Sequence, residues 1–525
     1  MYDPCSRPGN KDMSLSPKPN LLQRLQFAAT SDVGILILIT VAKVVLHTIV
    51  NNQYGFHRDE LLTFTNARHL AWGYVVYPPI TAFFGRVSLE LFGVSLRGFR
   101  FFGAIAEGLA VLLTGLAARE LGGKREAQIV AALSVAIAGH SFVHGSFLSY
   151  TSFDFPCWIL VAYFVIRLLK SNDPHWWIAI GAAIAVGMMA KYSMAFLVLG
   201  VVAGLLLTPA RRYLKSGWLW LAVAVAVLIM LPNIVWQVRH DFVSLAYLKT
   251  IHSRDVGNGR TDYFLLNQLW KSAQPVTLPI WLAGLWFLFA TPQGRRYRML
   301  GWMYLIPLLA FFLANGRDYY LAPAYSILLA AGAVWCEKWV QSLSPQAALT
   351  VRRSTWWTLA SAGVITAALT LPIAPLGSAW WRVANNTSTV FDSQVGWPDM
   401  VQQVAKVRDS LPAEEQLRVG VLAGDEGETG AVNLYGPAYG LPPAISGMNS
   451  NWMRGYGDPP PQTVIVLGEK RDFVDRTFES CQSVGHVTNR YGIANSSITG
   501  YDEIFVCRGL RQSWPEFWKN FRYYG

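Results

Sequence analysis

Charge is scarce in this chain. Asp, Glu, Lys and Arg make up only 14% of its 525 residues, against 53% apolar residues, a balance unlike that of disordered chains or ordinary soluble domains. There is no Walker-type phosphate loop, no G-x-S-x-G elbow and no paired C-x-x-C, which argues against an ATP-driven pump and a typical serine hydrolase. No internal repeat is found. A cleavable signal is not expected either: residues 1–30 are polar, carry Pro4, Pro8, Pro17 and Pro19, and lack an apolar centre. They read as a cytoplasmic leader ending in a short amphipathic piece, Leu21 to Ala29. Cysteines number five. Cys5 is in the leader, Cys157 and Cys336 fall in apolar runs as packing residues, and Cys481 and Cys507 lie in the polar C-terminal region. A disulfide between the last two is possible outside the cytoplasm, and the sequence leaves the pairing open.

What the chain has is long apolar runs, near 33–50, 99–118, 127–143, 154–169, 176–190, 195–208, 217–233, 277–290, 299–314, 319–337 and 355–373. Runs of about 15–20 residues suit membrane-spanning helices, so the fold class expected is a polytopic α-helical membrane protein with about eleven spans. The formal charge of +12 then reports orientation rather than nucleic-acid binding. Arg119, Lys124 and Arg125, Arg167 and Lys170, Arg211, Arg212 and Lys215, Arg295, Arg296 and Arg298, and Lys338, Arg352 and Arg353 fall in alternate connections. With Arg7, Lys11, Lys18 and Arg24 of the leader they mark one face as cytoplasmic, which puts the C-terminal region outside. Arg58, Arg68, Arg86, Lys191, Arg239, Arg254, Arg260 and Arg317 sit against that rule on the other face, and cations so placed need a reason.

The expected organisation is a leader at 1–30, a transmembrane domain at 31–377 with long external loops at 51–97 and 234–275, and an extracytoplasmic α/β domain at 378–525. Loop 51–97 should hold helices from Glu60 to His69 and from Ile80 to Phe92, separated by Tyr77-Pro78-Pro79. Loop 234–275, with Gly257-Asn258-Gly259 at its tip, reads as a mobile lid. Beyond 378, strands are expected at Arg418–Ala423, Thr463–Leu467 and Glu503–Cys507, with a helix from Met400 to Ser410. The acidic turn Gly424 to Gly430 reads as a solvated loop or a cation site.

Ionisable residues gather at one membrane edge. The first group, His57-Arg58-Asp59-Glu60, follows the first apolar run. The others are His140 and His144 with Tyr150 to Asp154, then Lys191-Tyr192-Ser193, and Asn315 to Tyr320. Such residues are costly at a span edge unless paired or functional. Structural alternatives stand beside each: Asp154 or Ser152 as a helix N-cap, Lys191 snorkelling to the interface, and Arg317 paired with Asp318. His140 and His144 share a helix face as metal ligands would, without a third ligand in sight. A carboxylate can act as general base on an acceptor hydroxyl or amine, and Arg and Lys can hold a phosphate leaving group. The substrate this suits is a lipid carrying a phosphate-linked polar group.

Tyr54 to Leu61, Arg68-His69-Leu70-Ala71-Trp72-Gly73-Tyr74, Pro78-Pro79, Ala190 to Ser193 and Gly316 to Pro323 together resemble bacterial glycosyltransferase family 39 proteins. These are relatives of dolichyl-phosphate-mannose–protein mannosyltransferases. Gly396-Trp397-Pro398, Asn433 to Gly436 and Gly440 to Gly447 extend the similarity. The resemblance implies a GT-C membrane glycosyltransferase in the bacterial cytoplasmic membrane that takes its sugar from a polyprenyl-phosphate donor, with inversion. It needs no cofactor or obligatory metal, and passes the sugar to a glycan, lipid or protein acceptor. It carries the catalytic role onto Asp59, with Glu60 beside it, and substrate binding onto Arg58, Asp154, Lys191, Tyr192, Arg317, Asp318 and Tyr319. Gly424 to Gly430 departs from the Tyr-Gly-Glu-Ala-Gly-type turn expected there. The alternatives are an aminoarabinose-type lipid A transferase, a transporter or flippase of lipid-linked sugar, and a non-catalytic relative.

Overall fold

A computed structural model describes residues 30–525. The leader, with Cys5, Leu21–Ala29 and its basic residues, lies outside the described residues. Every one of the eleven apolar runs is helical, as expected where apolar side chains can cover a backbone that satisfies its own hydrogen bonds. Not all of these helices are long enough to span. Asp32–Val50, Leu96–Glu120, Tyr150–Ser171, Gly217–Arg239 and Asp318–Gln341 are long and apolar enough to cross a membrane, and they make this an integral membrane protein. Three further pairs are bent by 62°, 101° and 96° at a short break: Arg125–Ala136 with Gly139–Gly145, Met194–Leu207 with Pro209–Lys215, and Pro275–Ala290 with Gly294–Leu313. Counting each pair as one span gives up to eight by length and composition, against the eleven expected. Three things make up the difference: the runs at 277–290 and 299–314 fall in one bent pair, the run at 355–373 belongs to the 26-residue helix Pro345–Thr370, which is not among these candidate spans, and one helix is short. Trp176–Ala190 has 15 residues, about 22 Å of helix against a hydrocarbon core of about 30 Å.

The two loops read as external carry much of the order. Ile80–Phe92 is helical at the expected bounds. Arg58–Arg68 begins two residues before the expected Glu60, because His57, an uncommon capping residue, starts it. The segment read as a lid is mostly helix. Gly217–Arg239 runs into it, and Asp241 and Phe242 turn the chain with positive φ before the helix Val243–Gly257. Gln237 Nε2 donates to Ser244 Oγ at 2.7 Å, and Ser244 Oγ donates to the Tyr74 carbonyl at 2.9 Å. Side-chain hydrogen bonds of this kind stitch the second loop onto the first.

Among the described residues five strands occur, all in the C-terminal region: β1 (Val419–Ala423), β2 (Ala444–Ile445), β3 (Thr463–Leu467), β4 (Phe478–His486) and β5 (Glu503–Leu510). Their order is β2-β1-β3-β5-β4, with β1 parallel to β2 and β3, and β5 antiparallel to both neighbours. The sequence marks β1, β3 and β5, whose apolar runs are buried. It does not mark β2, which is two residues long, or β4, whose residues are mostly exposed. One apolar cluster joins this region to the first loop. Phe56, Leu61, Phe64 and Phe99 pack with Trp397, Met400, Val432 and Ile465. The helix Glu426–Tyr435 approaches Arg58–Arg68 so closely that a Cβ on Gly430 would lie 2.6 Å from Leu61 Cβ. Only glycine fits there.

Cys481 and Cys507 face each other in register across β4 and β5 and are joined by a disulfide. The bond closes a separation of 26 residues, which corresponds to about 3 kcal/mol of stabilisation through the unfolded state. Non-reducing peptide mapping should recover the two cysteines in one linked fragment. Cys507→Ser should lower the thermal midpoint; two free thiols in unreduced protein would contradict the pairing.

Candidate functional site

Two adjacent carboxylates take opposite roles in the structure. Glu60 and Arg100 are both fully buried. Arg100 Nε donates to Glu60 Oε1 at 2.9 Å and Nη2 to Oε2 at 2.7 Å, a bidentate geometry specific to arginine. The remaining Glu60 lone pairs accept the backbone N–H of His57 at 2.9 Å and of Leu148 at 3.0 Å. Arg100 spends its other donors on the carbonyls of Asn51 and Gly55 and on Gln394 Oε1. Both Glu60 oxygens are therefore committed, and the group fixes the start of helix Arg58–Arg68 in space.

Asp59 is turned away from that anchor, with its side chain 31% exposed. Arg58 Nε lies 3.5 Å from one oxygen and His57 Nδ1 4.0 Å from the other. Burial would raise its pKa, but His57 and Arg58, with Arg317 further off, hold the carboxyl below its usual range. The helix N-terminus works in the same direction. Arg58 also reaches Asp425 at 3.8 Å, and the charges of Asp425 and Asp59 outweigh burial to keep its guanidinium firmly protonated. The acidic turn is thus not a solvated loop. Asp425 caps the helix Glu426–Tyr435, accepting from Gly427 N–H at 2.7 Å, and burial raises Glu426 to about 8.

Lys191 does not snorkel. It is 6% exposed, bonds only to Thr151 Oγ1 at 3.3 Å, and lies 5.2, 5.1 and 4.4 Å from the ring centroids of Tyr150, Tyr319 and Tyr320. Among the described residues it has no ion-pair partner. Asp154 is no N-cap, since Ser149 caps Tyr150–Ser171 with Ser152 completing the capping box. Instead Asp154 is buried and accepts from Trp158 Nε1 at 3.0 Å and from Ser193 Oγ at 3.2 Å, bracing the hairpin that carries Lys191. Tyr192 OH meets Asn233 and Gln237 of the helix Gly217–Arg239.

Arg317 is paired, but not with its neighbour. Its Nε and Nη2 donate to Asp255 Oδ2 at 2.6 and 2.5 Å, and Nη1 donates to Tyr319 OH. Asp318 accepts from Tyr319 N–H and faces Lys271 at 3.8 Å. His140 and His144 lie 4.3 Å apart between ring centroids, tilted by 56°, and among the described residues no group of three His, Cys, Asp or Glu is placed to hold a metal ion.

Two cavities meet at Arg317. One, of about 280 Å³, is lined by Lys191, Tyr150, Tyr77, Asp255, Arg317 and Tyr320. The other, of about 890 Å³, is polar and lined by His57, Arg58, Arg260, Lys271 and Arg317. The sequence reading did not single out Arg100, Asp255 or Tyr77. Arg100 carries a signal, a charge at the edge of an apolar run; Asp255, in a stretch read as loop, carries none.

His57 is the helix cap. Its Nδ1 accepts from Asp59 N–H at 3.1 Å and its ring stacks on Phe147, which requires a ring unprotonated at Nδ1. Burial, opposed by Asp59 and Glu60, lowers its pKa below the ordinary value. A folded value below the unfolded one means that stability is present above the unfolded pKa and is lost as pH falls through the folded one. The thermal midpoint should therefore fall as pH drops below about 6.5, a dependence that His57→Asn, a non-titrating cap, should reduce. Glu60→Gln should cost about 3–5 kcal/mol by stranding the buried Arg100; an unchanged thermal midpoint would refute the anchor.

Residues 76–236 match the family model described as dolichyl-phosphate-mannose-protein mannosyltransferase, the family that the motifs resemble. The matched stretch includes Lys191 but neither Asp59 nor Arg317. The chain is 27% identical over 259 residues to the lipid A galacturonosyltransferase RgtD of Rhizobium johnstonii, covering 47% of this chain and 53% of that protein. It is 28% identical over 255 residues to the undecaprenyl phosphate-alpha-4-amino-4-deoxy-L-arabinose arabinosyl transferase 2 of Pseudomonas fluorescens, covering 44% of each. The chain spans about half the length of the curated relatives it matches. Its fold is similar to the crystal structure of ArnT from Cupriavidus metallidurans bound to undecaprenyl phosphate, with a TM-score of 0.54 and 16% identity over 90% of this chain and 97% of that one.

Proposed function

We propose that this chain, which shares the GT-C fold of ArnT, transfers a sugar from a polyprenyl-phosphate donor to an acceptor at the extracytoplasmic face of the bacterial inner membrane. One observation carries the reading. Lys191 is a buried cation without an anionic partner among the described residues, boxed by three tyrosines and facing a cavity shared with Arg317. An unpaired buried charge is costly, and a phosphate oxygen from a lipid in the membrane would complete it.

In this reading Lys191 and Arg317 bind the donor phosphate, with Tyr319 and Tyr320 shaping its seat. An acceptor hydroxyl oxygen attacks the anomeric carbon and its proton passes to Asp59. The bond from that carbon to the phosphate oxygen breaks, and the electron pair leaves on polyprenyl phosphate. A single displacement inverts the anomeric centre. The charge developing on the leaving oxygen falls beside two cations in a water-poor site, where such stabilisation is strongest. Glu60, with both oxygens engaged, acts by aiming Asp59 rather than by touching substrate. Arg58 and Asp425 bridge the reacting helix to the C-terminal region, Tyr192 and Asp154 hold the Lys191 hairpin, and Asp318 shapes the Arg317 turn.

The orientation rests on two features. Arg125 pairs with Asp32 at 2.7 Å and Arg352 with Glu126 at 3.2 Å on the face rich in basic loops, consistent with the cytoplasmic side. The disulfide belongs to an oxidising compartment. For the acceptor we favour a glycolipid, since two relatives are named as lipid A galacturonosyltransferase and as an arabinosyl transferase using an undecaprenyl phosphate sugar.

Purified protein should consume a synthetic undecaprenyl-phosphate sugar and form product. Asp59→Asn should reduce turnover by about 10²-fold or more with little change in donor affinity, and Lys191→Met should weaken undecaprenyl phosphate binding. Turnover unaffected by Asp59→Asn would remove that carboxylate from the chemistry. Transport of intact donor without glycosyl transfer would point instead to a flippase.

A further inference from the structure

The first loop's cations do not all belong to the donor site. Arg68 closes the far end of the helix that begins at Arg58, about 14 Å from Asp59 along its axis. It lines a separate cleft of about 690 Å³ between this helix and the C-terminal region, together with Arg418, Arg454 and His69. No Asp or Glu lines the cleft. Among the described residues none of the three arginines forms an ion pair, whereas Arg408, Arg471, Arg490 and Arg508 of the C-terminal region each do.

Arg454 is held in place. It donates to Asn66 Oδ1 at 2.6 Å and to Asn451 Oδ1. Asn66 in turn donates to Tyr77 OH at 2.8 Å, and Tyr77 lines the cavity that holds Lys191. A rigid polar wall thus separates the two spaces. Burial lowers the Arg454 pKa, opposed by Tyr77, Tyr74 and Glu426, so the guanidinium has lost hydration without gaining a carboxylate. Arg68 and Arg418 are exposed and complete an arginine-rich rim. The rest of the wall is apolar and stiff: Pro442, Pro443, Pro461 and Tyr456, whose ring stacks on Trp514 at 5.2 Å. Close to Arg68, Leu70 and Trp72 are exposed, and the Trp72 carbonyl accepts from Asn233 of the spanning helix Gly217–Arg239. The mouth therefore opens at the level of lipid headgroups, where tryptophan is favoured.

We infer that this cleft is a second anion site, one that takes a phosphate borne on a saccharide at the membrane surface and so holds the acceptor at a point remote from the reacting carbon. Guanidinium groups bind phosphate oxygens through paired N–H donors, and flat proline and tyrosine faces suit a sugar ring. Assigning the saccharide to the acceptor rests on the transfer reading above; the anion site itself does not.

The test is binding, not turnover. Full-length protein in phosphatidylcholine nanodiscs is first saturated with undecaprenyl phosphate to occupy the Lys191 cavity, then titrated with glucose 1,6-bisphosphate or glucose. The bisphosphate should bind in addition to the lipid, at least tenfold more tightly than glucose. Arg68→Gln/Arg418→Gln should weaken it at least tenfold, and Arg68→Lys/Arg418→Lys by less. Equal binding of glucose and the bisphosphate, or wild-type affinity in the Gln pair, would overturn the site. Displacement of the bisphosphate when phosphatidylglycerol replaces part of the phosphatidylcholine would overturn the saccharide source in favour of a lipid headgroup. If undecaprenyl phosphate fails to bind while the bisphosphate responds to the Gln pair, the donor reading falls and the cleft stands.

Discussion

The buried pair between Arg100 and Glu60 is the constraint on which the site depends. It joins the first helix of loop 51–97 to the start of a spanning helix, and the guanidinium gathers the carbonyls of Asn51 and Gly55 and the side chain of Gln394 around one point. A buried ion pair brings little net stability compared with apolar packing, but losing one partner is severe because the other charge is stranded. Its use here is geometric. Successive helical residues project about 100° apart, so fixing Glu60 inward fixes the direction in which Asp59 can face.

Around that fixed carboxylate the charges are distributed unequally. Glu60 is fully matched by donors, Arg317 is matched by Asp255, and Arg58 is shared between Asp59 and Asp425. Lys191 alone of the central cations has aromatic faces and a hydroxyl where an anion would be expected. This asymmetry leaves Lys191 as the cation with its charge unmatched, while Arg317, held by Asp255, lines the same cavity beside it.

Much of this was legible in local pattern. Apolar runs became helices, Ile80–Phe92 held its bounds, and the clusters at Asp59, Lys191 and Arg317 are neighbours in space as their common membrane edge implied. What local pattern cannot carry is pairing at a distance. Arg100 and Glu60 are 40 residues apart and Arg317 and Asp255 are 62 apart, so Asp318, the nearer carboxylate to Arg317 in sequence, was the natural but wrong partner. His57 was opaque because histidine is an unusual cap, and β4 because its exposed side chains give no apolar run. Membrane crossing is not local either: an apolar run marks a helix but does not fix whether that helix bends, or is long enough, to cross.

The shared core that runs from Phe56 and Leu61 to Trp397 and Val432, closed at Gly430, bears on how such proteins can be recombined. The C-terminal region is not a module clipped onto a membrane catalyst. It supplies Gln394 to the anchor, Asp425 to Arg58 and one wall of the arginine cleft. Grafting that region from a relative to change acceptor choice would also replace part of the scaffold that aims Asp59, the carboxylate we propose to react. A workable chimera has to carry the two facing helices across together.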